Sequence, residues 1–267
     1  MKIRYMLNLF TGGLLVLSAC SCISGPPHPR SRLVWNDEFN GSGLPDSTKW
    51  NYDVGGHGYG NNEEQFYTKN RPENARLEDG KLVIEARKEQ WEGNTYTSAR
   101  LLTKGKFSFQ YGTVEVRAKL PKGRGTWPAI WMMSEKMKKW PDDGELDIME
   151  HVGYHQGYIH ASVHTKKYNH IIGTQKTDTL VVQDASEQFH VYKAVWTPEK
   201  IDVYVDKQKY FTYENREKTY DAWPFDQPYF LILNLAIGGF WGGKEGIDDR
   251  IFPQKFEIDY VRVYQNR

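Results

Sequence analysis

The chain has 267 residues, with 35 Lys and Arg against 34 Asp and Glu and a formal net charge of +1. That balance excludes a protein that grips nucleic acid through a basic excess. Both cysteines, Cys20 and Cys22, lie near the start, so the chain beyond them holds no internal disulfide and no cysteine–metal cluster, and an apolar core has to stabilise it.

In chain order, Lys2 and Arg4 precede an apolar run at residues 7–17. The run is too short to span a bilayer but has the length and flanking charge of a signal-peptide core. It closes on Leu17-Ser18-Ala19-Cys20, which is similar to the bacterial lipoprotein box, where the cysteine becomes the lipidated first residue. An ordinary signal peptide cut nearby is the plainer alternative. Residues 1–19 are therefore expected to be a lipoprotein signal peptide, with Cys20 lipidated. Residues 20–32, with Pro26, Pro27 and Pro29, are expected to form an extended tether. The protein is then an exported bacterial lipoprotein at the cell surface or outer membrane, touching the membrane through its lipid alone. Residues 33–267 show no linker and no repeat, and are expected to form one monomeric domain.

Within that domain period-two alternation dominates. In residues 112–120, Val114, Val116, Ala118 and Leu120 fall on one face and Thr113, Glu115, Arg117 and Lys119 on the other. Residues 81–87, 200–205 and 256–264 repeat the pattern. Turn signals separate the runs at Glu78-Asp79-Gly80, Pro121-Lys122-Gly123, Asp142-Asp143-Gly144 and Thr197-Pro198-Glu199. No stretch carries a capped 3.6-residue period, so the spacing predicts an all-β, antiparallel sandwich. Segments 51–69 and 220–250, rich in Gly, Asn, Trp and Tyr, read as long functional loops. The 9 Trp and 17 Tyr suit either core packing or platforms for the apolar faces of sugars.

After the turn at Asp143-Gly144 comes Glu145-Leu146-Asp147-Ile148-Met149-Glu150. Glu145 and Asp147 share a strand face, but Glu150 is an odd number of positions from both and would point away. A one-residue bulge at Ile148–Met149 returns all three acids to one face. The glutamates are then spaced as if four apart, about 13 Å between Cα atoms. Their side chains can lean inward to a carboxyl separation of roughly 5–6 Å, as a retaining glycosidase needs. Clustered acids repel, so one proton is held at raised pKa. A solvent-facing strand with scattered acids fits the spacing equally well.

The wider chain resembles family 16 glycoside hydrolases, in the bulged, laminarinase-type form of their acidic motif. The resemblance also rests on residues 35–39 (WNDEF), 58–67 (GYGNNEEQFY), 71–76 (RPENAR), Tyr111-Gly112, 127–131 (WPAIW), 160–164 (HASVH), 233–239 (LNLAIGG) and 259–264 (DYVRVY). It implies a β-jelly-roll sandwich of two antiparallel sheets with a concave substrate cleft. It implies a retaining endo-β-glucanase that hydrolyses β-1,3- or mixed-linkage β-1,3/1,4-glucan by double displacement, with no cofactor for catalysis.

By position, Glu145 is then the nucleophile, Glu150 the acid/base, and Asp147 a hydrogen-bonding partner that tunes Glu145. Asn62, Arg100, Glu115, Arg117, Trp127, Trp131, His164, Asn234 and Trp241 fall at the family's sugar-contact positions. For Trp127 and Trp131 core packing of one is the competing reading, with Trp131 favoured for the cleft. For Glu115 and Arg117 it is a solvated salt-bridging face. His160 and His164 share a strand face but have no obvious third metal ligand in sequence; His160 reads equally as a buried, satisfied histidine. Some relatives hold a structural calcium away from the cleft, and Glu38, Gly80 and Asp259 match those positions with oxygen donors suited to it. Competing functions are a non-catalytic β-glucan-binding surface lipoprotein, an endo-hydrolase of a marine galactan, and transglycosylation.

Overall fold

The period-two runs become strands because one face of each can be buried while the other stays wet. The computed structural model describes residues 31–266, so the expected signal peptide, the lipidation site Cys20 and nearly all of the tether lie outside the described residues. In chain order the strands are β1 (Ser31–Asp37), β2 (Asn51–Tyr52), β3 (Gln65–Tyr67), β4 (Ala75–Glu78), β5 (Lys81–Trp91), β6 (Asn94–Ser98) and β7 (Arg100–Leu102). They continue as β8 (Gly112–Lys119), β9 (Thr126–Ser134), β10 (Glu145–Glu150), β11 (Tyr158–His164), β12 (Lys176–Val181) and β13 (His190–Trp196). The last four are β14 (Lys200–Val205), β15 (Gln208–Glu214), β16 (Tyr229–Ile237) and β17 (Gln254–Asn266). Only three short 3₁₀ turns accompany them among the described residues, and no α-helix.

The strands form two layers. A ten-stranded sheet runs β15-β14-β13-β8-β17-β5-β6-β3, with β1 beside β17 and β4 beside β5. A seven-stranded sheet runs β12-β11-β10-β9-β16-β7-β2. Every named strand pair is antiparallel except β3 with β6, which is parallel. Between the layers lies one apolar core. Val114, Val116 and Ala118 of β8 and Ile201 and Val203 of β14 enter it from one side, and Ile130 and Met132 of β9 and Leu146 of β10 from the other. Each fully buried aliphatic side chain of this kind contributes about 1.5–3 kcal/mol. Turns obey local chemistry: Asp79 and Gly80 take φ of 53° and 71°, the positive pair that a two-residue hairpin between β4 and β5 needs.

Two stretches expected to be loops contain strands. Residues 51–69 hold β2 and β3, and residues 220–250 hold β16. All nine residues of β16 are buried. It is covered on both faces, so its sequence has no alternation to read.

β10 carries the expected bulge. Against β9, Asp147 faces Trp131 and Met149 faces Ile130, so two steps on β10 meet one on β9 and Ile148 is the extra residue. Ile148 and Met149 then both turn into the core, fully buried, and Glu150 swings back to the face of Glu145 and Asp147.

The positions matched to calcium also converge. β5 and β1 lie end to end along one side of β17, Leu82 opposite Ile258 and Asp37 opposite Val261. Gly80 and Glu38 therefore both adjoin the ends of strands that flank the Asp259 region of β17, and Asp259 is itself the extra residue where β17 slips against β8. There the Glu38 carboxylate accepts two bonds from Arg262, at 2.9 and 2.8 Å, and the Asp259 carboxylate pairs with Arg117.

Candidate active site

The outer face of the seven-stranded sheet gathers the acids. Along β10, Leu146, Ile148 and Met149 face the core, so Glu145, Asp147 and Glu150 face outward. On β11, His164 sits opposite Glu145 and His160 opposite Glu150. Gly144 sets up the entry to β10: at φ 84°, a Cβ there would fall 2.2 Å from the Tyr229 hydroxyl, which donates to the Asp143 carbonyl at 2.7 Å.

Each glutamate accepts a hydrogen bond from an indole. Trp127 donates to Oε1 of Glu150 at 3.0 Å, and Trp140 donates to Oε2 of Glu145 at 2.9 Å. His164 Nε2 lies 3.4 Å from Asp147 Oδ2 and 3.9 Å from Glu145 Oε1. The expected bond from Asp147 to Glu145 is not formed; Asp147 Oδ2 is buried without a hydrogen-bond partner and faces His164 instead. Glu145, Asp147 and His164 offer ligand atoms within 4.8 Å of one another, so a histidine-metal reading does find carboxylates beside it. Glu145 and Asp147 are also among the acids to which the family resemblance assigns catalytic roles.

Burial is the main cause of the site's electrostatics. It pushes the Glu145 carboxyl up to about 7, helped by the charge of Asp147 and opposed by His164, the Trp140 bond and Arg100. Burial raises Asp147 to about 8. Glu150 is driven well above the ordinary carboxylate range by burial and then by the Asp147 charge, against the pull of His164 and the Trp127 bond. Both glutamates are thus held above the ordinary carboxylate range, and Glu145 has the more partners opposing that rise.

A carboxyl with a raised folded pKa favours the fold fully below its unfolded pKa, near 4, and loses that contribution as pH rises through the folded value. Asp147→Asn, which mimics the protonated form, is thus expected to leave Tm nearly unchanged at pH 4. At pH 8.5 it should raise Tm by about 3 °C or more, since ~1 kcal/mol is worth 2–4 °C at this size. Calorimetry at the two pH values checks this. An equal difference at both would contradict the burial of an ionisable Asp147.

The sugar-contact candidates divide. Trp127, Trp131 and Trp241 are all half-buried on the cleft side, so neither Trp127 nor Trp131 belongs to the core. Trp131 donates to Oδ1 of Asn234 at 2.7 Å, Asn234 donates to the Tyr67 hydroxyl at 3.0 Å, and that hydroxyl reaches Glu63 at 3.3 Å. Arg100 lies 4.7 Å over the Trp131 ring and 5.0 Å over that of Tyr59. Trp241 meets Trp127 and His160 edge-on, with centroids 5.5 and 5.0 Å away. Asn62, at φ 57°, is exposed at the rim. His160 is partly satisfied: Nδ1 bonds the Thr179 hydroxyl at 3.0 Å, Nε2 has no partner, and burial lowers its pKa to about 4.

Glu115 and Arg117 do not belong with them. They lie on β8 in the other sheet, facing outward while Val114, Val116 and Ala118 face the core, so the thickness of the sandwich separates them from the acids. Arg117 pairs with Asp259 and lies over Phe189. The salt-bridging reading of that strand is the one realised, because alternation reports a wet face without saying which sheet owns it.

Three contributors escaped sequence reasoning. Trp140 and His170 pack beside His164, and Glu63 is held at raised pKa by burial. Trp140 was detectable as a tryptophan in the turn just before Glu145; Glu63 had no signal to set it apart from Glu64. Past Arg100 the cleft face continues into an open depression of about 670 Å³ bordered by Tyr52, Asp53, Lys69, Lys104 and Met133.

Comparison with known proteins shows what the chain as a whole is similar to. The sequence pattern of glycosyl hydrolases family 16 matches residues 62–262. A β-glucanase of Rhodothermus marinus is 50% identical over 99% of this chain and 97% of its own. The X-ray structure of the Rhodothermus marinus laminarinase superposes with a TM-score of 0.87 at 53% identity, covering 89% of this chain and 98% of that one. A glutamate-to-serine mutant of SCLam, a non-specific endo-β-1,3(4)-glucanase co-crystallised with 1,3-β-D-cellotriosyl-glucose, superposes at 0.86 with 49% identity, covering 88% and 95%.

Proposed function

The chain belongs to glycosyl hydrolases family 16, and from that membership we propose that it is an endo-β-1,3(4)-glucanase working by double displacement on Glu145 and Glu150. The observation that carries the reading is the bulge in β10, which brings two indole-bonded glutamates and a buried aspartate to one face. Glu145 attacks the anomeric carbon while Glu150 passes its proton to the departing glycosidic oxygen, leaving a glucosyl ester on Glu145. Glu150, now a carboxylate, takes a proton from water, whose oxygen displaces Glu145 and restores the β-configuration. The Trp140 N–H steadies the nucleophile's charge, and His164 with Asp147 fixes its orientation.

Trp131, Arg100 and Asn234 form the wall against which glucose rings lie on one side of the cut, with Trp127, Trp241 and His160 at the acid/base end. A calcium ion at the corner of Glu38, Gly80 and Asp259 would tie β1, the β4–β5 turn and β17 together, supplying stability and no chemistry. Among glucans, the bulged site suits a β-1,3 linkage next to the cut in either polymer. Proton NMR of laminarin, lichenan and barley glucan digests tests the proposal: the β-anomer of the new reducing end is expected first, with the α-anomer growing only by mutarotation. First appearance of the α-anomer would exclude a retaining mechanism, and no cleavage of any of the three would return the galactan alternative.

A further inference from the structure

A bulge leaves main-chain groups without ladder partners, and in a dry core an unpaired carbonyl costs about 1–3 kcal/mol. In β10 the extra residue is Ile148, fully buried. Its carbonyl does have a partner. The Tyr210 hydroxyl, on β15 of the opposite sheet, donates to Ile148 O at 2.9 Å across 62 residues of sequence. On the facing strand, the Ala161 carbonyl accepts from the Thr177 hydroxyl at 3.0 Å.

Resting on the assignment of Glu145 and Glu150 above, we propose that Tyr210 is a positioning residue for catalysis. Its hydroxyl pins the bulge from behind and so sets where Glu150 stands relative to Glu145. The geometry gives this contact leverage. Ile148 lies between Asp147 and Glu150, and a relaxed, regular strand would turn Glu150 into the core. The ladder holds Asp147 and Glu150 against both neighbouring strands, and the Tyr210 bond holds the buried Ile148 carbonyl in the step between them. Burial raises the Tyr210 pKa first, and the neighbouring Tyr192, Glu150 and Asp147 add to it in that order.

Tyr192 provides an internal control. It is fully buried on β13 of the same sheet as Tyr210, and its hydroxyl has no hydrogen-bond partner among the described residues. Losing that hydroxyl removes no bond, whereas losing the Tyr210 hydroxyl frees the bulge carbonyl. The test compares Tyr210→Phe and Tyr192→Phe in the whole protein. For Tyr210→Phe, kcat on laminarin is expected to fall about tenfold, KM to stay within about twofold, and the basic limb of the pH–kcat profile to move as Glu150 changes surroundings. Tyr192→Phe should leave all three as in the parent. A Tyr210→Phe enzyme with lower Tm but unchanged kcat and pH profile would show a purely structural hydroxyl and overturn the proposal. So would equal kcat losses in the two variants. Retained hydrolysis by Glu145→Gln, run alongside, would instead indicate failure of the catalytic assignment itself.

Discussion

Glu145→Gln is expected to reduce kcat on laminarin by about 10⁴-fold or more, the equivalent of ~5.5 kcal/mol in the barrier. The amide keeps the shape of the side chain and its contact with Trp140, but it is a poor nucleophile and cannot form the glucosyl ester. Folding should not suffer: Glu145 is held at about 7 by burial and the neighbouring Asp147 charge, so a neutral replacement removes a cost at neutral pH. Chemical rescue makes the result specific. In Glu145→Gly, azide can enter the vacated space and attack an activated aryl β-glycoside, and the product expected is the α-glycosyl azide. Hydrolysis by Glu145→Gln at the parent rate would remove Glu145 from the mechanism.

Glu150→Ala is expected to behave differently, and the difference identifies the acid/base. On polysaccharide, where the leaving sugar oxygen needs a proton, kcat should fall about 10²–10⁴-fold. On a dinitrophenyl glycoside, whose leaving group departs unprotonated, formation of the intermediate should be little changed. Breakdown of the intermediate then becomes slow, because nothing activates water. Azide needs no general base and should accelerate turnover, giving the β-glycosyl azide. The basic limb of the pH profile should also vanish, since it reports the loss of the proton that burial and Asp147 keep on Glu150. Equal losses on both substrates, with no azide effect, would assign Glu150 some other role.

These expectations share a cause. Three carboxyl groups taken out of water on one sheet face oppose folding at neutral pH, and the same repulsion keeps one proton available for transfer. The core behind β10 offsets that cost, with Leu146, Ile148 and Met149 all buried. On the proposed mechanism, activity and stability pull in opposite directions at Asp147.

Much of this was legible in order along the chain. Alternation at residues 112–120 and 200–205 revealed strands because each has one wet face. The odd spacing of Glu145 and Glu150 required a bulge if the acids were to share a face, since a strand has a strict period of two. Local chemistry settled both: side-chain direction and turn conformation depend on neighbours a few residues away. The all-β class and the acids of β10 were therefore written in the sequence.

What only the tertiary structure decided concerns partners distant in sequence. β16, buried on both faces, had no alternation to betray it. Glu115 and Arg117 had the right pattern on the wrong sheet, because alternation separates wet from dry without distinguishing two wet faces. Trp140 and Glu63 gained meaning only beside Glu145 and Tyr67. The Tyr210 hydroxyl reached the bulge across the sandwich. Such contacts depend on how two sheets stack, and a one-dimensional pattern of hydrophobicity holds no record of what faces it from the other layer.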